Sequence, residues 1–479
     1  VEAPWVTWWA LVPLLFAVRG AATGRALACG FCCGLTHYAS ALYWIHNVMA
    51  QYGGLPLPVA VVVLLLLCAY LAIYPAVFAA AARHWSIRPH FWLAALPCLW
   101  VALEWVRAQA LSGFPWANLG YSQNPFFLLI QVADITGVYG VSWLLVLANT
   151  SIAVSLQERR VHWSLGVTAL GIAALVLYGQ VRVAAVERAE AHAAPWNVGV
   201  IQGNVDQALK WDPAFQQETI QRYRRLSLEA RGSSPPPVLI AWPETAAPFF
   251  YGMEPSLTRQ VQEIAREAGS ALLFGSPGAA TLGGKTYLYN RAHLIDAAGR
   301  SLGTYAKQHL VPFGEYVPLK RLLFFVERLV PAAGDFAAGG RQAPMGFEAG
   351  RLGALICYEA IFPELARHAV RDGATALVNI TNDAWFGTSS APYQHLEMAR
   401  WRAIENRVPL IRAANTGIST VFPASGRHGP VIPLNETGYL VCAVRPVALP
   451  TVYTAWGNWF AWLCVLTTVL SVLYINVLR

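Results

Sequence analysis

The stretch Leu352-Gly-Ala-Leu-Ile-Cys-Tyr-Glu-Ala-Ile-Phe362 decides how this chain is read. An apolar run enters Cys357, acidic Glu359 follows two places later, and Pro363 opens a helical pattern. A buried strand that delivers a nucleophile at its C-terminal edge is written this way. A cysteine standing alone after such a run is more simply a packed core residue. Two further stretches argue against that simpler reading: Ala241-Trp-Pro-Glu-Thr-Ala246 and Tyr305-Ala-Lys-Gln-His-Leu-Val-Pro-Phe-Gly-Glu-Tyr-Val-Pro318. They place Glu244 and Lys307 at the ends of apolar or aromatic runs. A carboxylate, an ammonium and a thiol at three strand ends supply a base, a cation for developing negative charge and a nucleophile, the set that amide or acyl transfer requires.

Working outward, the composition divides the chain. Of its 479 residues 56% are hydrophobic and only 13% charged, with mean hydropathy +0.42. Soluble domains carry about a quarter charged residues. Residues 1–183 are nearly free of acids and rich in Leu, Val, Ala and Trp, whereas 196–450 read as an ordinary globular domain. The net charge of +8 comes without a basic run or basic-aromatic interleaving, which argues against nucleic acid and for topology signals and anionic lipid. Of the eight cysteines, Cys29, Cys32, Cys33, Cys68, Cys98 and Cys464 fall in apolar segments, so no disulfide framework is implied.

A membrane-crossing helix needs roughly 20 mostly apolar residues. Candidate spans lie at about 5–19, 26–49, 56–82, 91–111, 126–156 and 164–181, with a last one near 455–477. The expected organisation is a helical membrane bundle of about six spans over 1–183, a water-facing domain over 196–450, and a C-terminal transmembrane helix over 455–479. Arg19, Arg25, Arg83, Arg88, Arg159 and Arg160 occupy alternate loops, while 50–55 and 112–125 contain no Lys or Arg. The arginine loops then face the cytoplasm, the water-facing domain lies outside it, and Arg479 returns to the cytoplasm. Glu104 and Arg107, three apart on one span, are expected to pair, and the loop 112–124 is expected to face the same side as the water-facing domain.

From residue 196 onward, strand and helix patterns alternate. Strands are expected at 197–202, 238–241, 271–274, 287–296, 301–306, 352–356 and 375–380, with helices at 213–230, 256–267, 363–371 and 392–407, and further strands within 409–445. Such alternation predicts α/β layers about a mixed sheet. Three rival motifs are weaker. Cys29, Cys32, Cys33 and His37 have metal-like spacing but lie in an apolar helix without supporting carboxylates. Gly283-Gly-Lys-Thr286 lacks the earlier glycine and the following helix of a phosphate loop, and reads as a hairpin turn. Cys357 with His309 or His395 and Asn382 imitates a cysteine protease, on residues that any domain of this size offers.

The sequence resembles the apolipoprotein N-acyltransferase family, the membrane branch of the nitrilase (carbon-nitrogen hydrolase) superfamily. The likeness is carried by Trp242-Pro-Glu-Thr245, the Tyr305–Pro318 segment, Ile356-Cys-Tyr-Glu359, Asn382-Asp-Ala-Trp-Phe-Gly387, Gly113-Phe-Pro-Trp116 and Gly120-Tyr-Ser-Gln123, and it covers essentially the whole chain. It implies a polytopic α-helical membrane bundle joined to a nitrilase-like αββα sandwich, on the outer (periplasmic) face of the inner membrane. It also implies one more span ahead of Val1 than the six counted. Glu244 would be the general base, Lys307 the catalytic lysine and Cys357 the nucleophile, supported by Glu315, Tyr358 and Glu359. Trp116, Trp211, Asn382, Trp385, Phe324 and Phe325 are assigned to substrate contact, the last two on a membrane-dipping arm over 318–330. The implied reaction moves a fatty acyl group from a glycerophospholipid to a diacylglyceryl apolipoprotein, without metal or cofactor. A membrane-tethered amidase of the same superfamily is the rival reading, and a catalytically silent binding module the more distant one.

Overall fold

The computed structural model describes residues 3–85, 89–207, 210, 212–316, 336–447 and 449–477. The chain divides into two compact units, one of residues 1–46, 56–185 and 451–479, the other of 47–55 and 186–450. Four of the described helices are long and apolar enough to cross a membrane: Leu57–His84, Phe91–Ser112 and Val138–Glu158 in the first unit, and Trp163–His192, whose last residues from 186 on belong to the second. Pro4–Val18 and Trp459–Ile475 are shorter apolar helices.

Several expected spans are modified. The second ends at Ala41, and a separate helix Ile45–Gln51 follows, whose residues from Asn47 on belong to the other unit. The fifth begins only at Val138, because Gly137 takes φ +63 and the preceding residues 119–136 run as short turns of helix. The sixth continues to His192. The loop 112–124 is built into this unit, with Trp116, Asn118, Tyr121 and Gln123 all buried. Glu104 and Arg107 each bond to it separately. Glu104 Oε1 accepts from Leu119 N at 2.7 Å and Trp100 Nε1 at 3.0 Å. Arg107 donates to Tyr38 Oη at 2.5 Å and to Asn118 Oδ1.

The second unit is a sandwich of two six-stranded sheets. Its strands are β1 (Trp196–Gln202), β2 (Leu239–Ala241), β3 (Ala271–Leu282), β4 (Lys285–Ile295), β5 (Ser301–Ala306), β6 (Met345–Phe347), β7 (Gly350–Ile356), β8 (Ala376–Thr381), β9 (Leu410–Ala414), β10 (Ser419–Phe422), β11 (Val431–Ile432) and β12 (Gly438–Val444). The sheet orders are β12-β1-β2-β3-β4-β5 and β11-β10-β9-β8-β7-β6. The period of two in a strand sorts its side chains between two faces. Val198, Val200, Leu239, Leu273, Leu294, Leu352, Ile356, Val378, Ile380 and Ile411 fill the space between the sheets. Ile201, Ile240, Leu272 and Phe274 face helices Pro213–Arg231 and Pro255–Ala268. Leu355, Leu377 and Leu410 face helices Pro363–Arg371 and Ala391–Asn406. The layers are therefore αββα.

Gly283 and Gly284, with φ +58 and +78, close a two-residue hairpin between Leu282 and Lys285, as their sequence suggests. β3 runs on past the expected 274 to Leu282, through Pro277. Pro277 is tolerated because β3 is laddered to β2 only over 271–273 and bonds beyond that through the Gly275 N–H to Pro243 O, so position 277 is not called on for a donor along that edge.

Candidate active site

Three strands of the sandwich end at one place. β2 runs into Glu244, β5 into Lys307 and β7 into Cys357. Glu244 sits in a tight turn packed on β3, where a Cβ at Gly275 would lie 2.7 Å from the Glu244 Cα, so only glycine fits there. Its carboxylate accepts from Asn290 Nδ2 at 2.7 Å and from the Asn382 main-chain N–H at 3.0 Å. Lys307 Nζ lies 3.7 Å from Glu244 Oε1 and 2.9 Å from both oxygens of Glu315, and its side chain is 1% exposed. Burial opposes the Lys307 charge, but Glu315, Glu244 and Cys357 outweigh it and hold the pKa above the ordinary lysine value. Lys307 therefore remains an ammonium.

Cys357 adopts φ +52, a left-handed conformation that costs a non-glycine residue about 1–2 kcal/mol and turns the chain sharply from β7 into a 3-10 helix, Cys357–Ile361. Two networks hold it there. His395 Nε2 lies 3.0 Å from the Cys357 carbonyl oxygen, and its Nδ1 lies 3.1 Å from Asp383, which also accepts from Arg412 at 2.7 Å and Thr381 at 2.9 Å. On the other side Glu359, fully buried, accepts from Ile356 N at 2.7 Å, Gln308 N at 2.6 Å, His309 N at 3.1 Å and Tyr305 Oη at 3.0 Å. Glu359 thus joins the end of β7 to the end of β5. Burial pushes its pKa up to about 7, against the pull of those N–H groups and of Lys307. The Cys357 thiol is pushed up to about 12 by burial and the Glu244 charge, only partly offset by Lys307. Free thiolate is scarce, so the thiol needs a base at the moment of attack.

The structure brings Glu244, Lys307, Glu315, Cys357, Glu359 and Asn382 together. Glu315 pairs with Lys307, while Glu359 binds backbone instead, a division of labour that the motifs alone leave open. Asn382 reaches the site through its main-chain N–H, since its side chain is spent on Gln207 and Asn415. Tyr358 is buried against Phe362, with ring centroids 5.1 Å apart. Trp385 packs on Tyr52 at 5.0 Å, and the Tyr52 hydroxyl donates to Ala384 O. Trp116 belongs to the other unit, packed on Trp44 and Phe114. Trp211, Phe324, Phe325 and the arm over 318–330 lie outside the described residues, as do Arg88 and Arg479. The protease-like arrangement is not formed: His395 faces a main-chain carbonyl, and the His309 ring stacks on Phe362 at 3.7 Å.

Four supporting residues receive no role from the motifs, Asp383 among them although it lies within Asn382–Gly387. Asn290 bridges Glu244 and Glu315, and its signal is an amide two and four places before Ala292 and Leu294, on the inward face of β4. Asp383 and Arg412 act through His395, and Lys210 donates to the Glu244 main-chain carbonyl at 3.0 Å. Among the described residues no cluster of three or more His, Cys, Asp or Glu could hold a metal ion.

This fold and its three strand ends define a member of the carbon-nitrogen hydrolase superfamily, and residues 197–448 match the carbon-nitrogen hydrolase family profile. Residues 1–151 match the apolipoprotein N-acyltransferase N-terminal domain. The chain is 45% identical to an apolipoprotein N-acyltransferase of Geobacter metallireducens, over 96% of this chain and 89% of that protein. It is 38% identical to one of Methylococcus capsulatus, over 93% and 87% respectively. It belongs to the apolipoprotein N-acyltransferase family: it is an acyltransferase, and its long apolar helices place it in a membrane.

Proposed function

We propose that this protein transfers a fatty acyl group from a glycerophospholipid, through a thioester on Cys357, to the N-terminal amine of the diacylglyceryl cysteine of apolipoproteins. Glu244 takes the Sγ proton as sulfur attacks the ester carbonyl. The resulting oxyanion is met by the Lys307 ammonium and the Tyr358 main-chain N–H, in the manner of an oxyanion hole. Collapse expels the glycerol oxygen, which receives the proton from Glu244 and leaves as lysophospholipid. The acceptor amine then attacks the thioester, gives its proton to Glu244, and the sulfur departs and is reprotonated. Each half-reaction leaves Glu244 as it began.

One observation carries this reading: a buried ammonium held between two carboxylates, 2.9 Å and 3.7 Å away, beside a cysteine kept in a left-handed turn. The domain of 196–450 is assigned to the outer face of the inner membrane, on the alternation of arginine between loops. An impermeant protease applied to spheroplasts should then cut within it but spare the loop at Arg159. The chemistry is tested by incubating the purified protein with phospholipid alone. A Cys357-linked acyl group and stoichiometric lysophospholipid are expected. Steady release of free fatty acid without an acceptor would mark a hydrolase instead.

A further inference from the structure

Lys307 has carboxylates of its own, whereas Lys210 has none among the described residues. Lys210 stands between β1 and helix Pro213–Arg231, and its side chain is 1% exposed. Its Nζ makes one hydrogen bond among the described residues, to the Glu244 main-chain oxygen at 3.0 Å, and no ion pair with any of them. An ammonium taken out of water against a single carbonyl is a poor bargain for stability, and an apolar chain of similar length would fold at least as well. Its neighbourhood explains its presence. The charges that act on it are those of Glu244 and Cys357, and Cys357 in turn faces Lys307 and Asp383. Lys307 is held chiefly on Glu315, whose other neighbours are Asn290 and the Val311 N–H. The Lys210 backbone N–H rests on the Asp206 carbonyl.

We infer that Lys210 is a second cation of the acyl-transfer centre: it fixes the main chain of Glu244 and favours the anionic sulfur of Cys357. The inference rests on the thioester route proposed above. When the Sγ proton passes to Glu244, one negative charge moves from carboxylate to sulfur and no charge is created. Lys210, without a carboxylate partner among the described residues, is the cation left to serve the sulfur as that transfer proceeds. Burial lowers its pKa to about 8, with Glu244 and Cys357 opposing the drop, so its charge fades as pH rises through that value.

The test is alkylation of Cys357 by iodoacetamide in detergent, read at that residue by mass spectrometry, which needs no lipid. In the wild type the rate should climb about tenfold per pH unit below pH ~8 and less steeply above it, as Lys210 loses its proton. Lys210→Met should lower the rate at pH 7 by about tenfold and remove the break, with the melting temperature kept. Lys210→Arg should keep the rate and also lack the break, because the guanidinium stays charged. A wild-type profile without a break, or Lys210→Met with the wild-type rate and profile, overturns the inference. Failure of the thioester route would appear separately, as wild-type protein that alkylates as described yet takes no acyl group from phospholipid.

Discussion

Two clusters of buried charge, one in each unit, are handled in opposite ways. In the helical unit Arg107 is surrounded by neutral oxygens, those of Tyr38 and Asn118, and Glu104 by fixed N–H donors. In the sandwich Lys307 is surrounded by carboxylates that can gain a proton, with a thiol that can lose one close by. Fixed dipoles can only hold a charge, whereas titratable neighbours can exchange it. The first cluster secures a loop; the second is equipped for proton transfer. Glu104 and Arg107 each bond to the segment 118–119, Glu104 through the Leu119 N–H and Arg107 through Asn118 Oδ1.

The contrast breaks hardest at the sulfur. Cys357→Ala should abolish both lysophospholipid release and lipopeptide N-acylation, while Cys357→Ser leaves at most a trace, because an alcohol is harder to ionise and its ester less reactive toward amines. Next, Glu244→Gln should lower thioester formation by about a thousandfold or more, since an amide cannot carry the proton. Lys307→Ala should do the same and also cost about 3–5 kcal/mol in stability, by leaving two buried carboxylates without their cation. Lys307→Arg should restore little, the broad guanidinium being the wrong shape for the space between Glu315 and Glu244. Near-normal acylation by any of these variants would remove the residue from the mechanism.

A smaller effect is expected at Glu359, which touches only backbone and Tyr305. Glu359→Gln should slow acylation by about ten- to a hundredfold, because one of its two acceptor oxygens is replaced by an amide that cannot receive an N–H. It should also change the response to pH. The folded pKa of about 7 lies above that of an exposed glutamate, so the protonated form is the better accommodated. The stabilisation linked to that proton is complete below pH ~4.5 and fades as pH rises through ~7. The wild type should therefore lose more melting temperature between pH 5 and 8 than Glu359→Gln does. The smallest chemical effect belongs to the helical unit: Arg107→Leu should lower the melting temperature by several degrees by orphaning Tyr38 and Asn118, yet leave the rate of Cys357 alkylation within about threefold. A large fall in that rate would show that the two clusters are not independent.

Much of this was legible in the residues. The period-two runs into Glu244, Lys307 and Cys357 announced strands whose ends carry chemistry, and the paired glycines at 283–284 announced a hairpin. Local patterns say less about partners distant along the chain. Asn290 and Arg412 look like ordinary strand residues until the strand order is set: Arg412 then lies beside Asn379 on β8, and Asn290 reaches Glu244 beyond the end of β2 in its own sheet. The loop at 112–124 shows the same limit: only the packed helices reveal that Gln123 is spent on Pro4, Thr7 and Trp8. Hydropathy likewise could not see the break at Leu42, which lies inside an apolar run.

The Glu359 bridge also governs when in its life the protein becomes reactive. Its carboxylate collects donors from Tyr305, Gln308 and His309, up to 54 residues earlier in the chain and attached to the opposite sheet, together with the amide at Ile356. Contacts of such long sequence separation form only once both sheets have docked. Until then a newly made chain carries a cysteine with neither base nor cation beside it, surrounded by the lipids into which its helices are being delivered. On the chemistry proposed above, completion of the fold is thus the event that assembles the reactive centre.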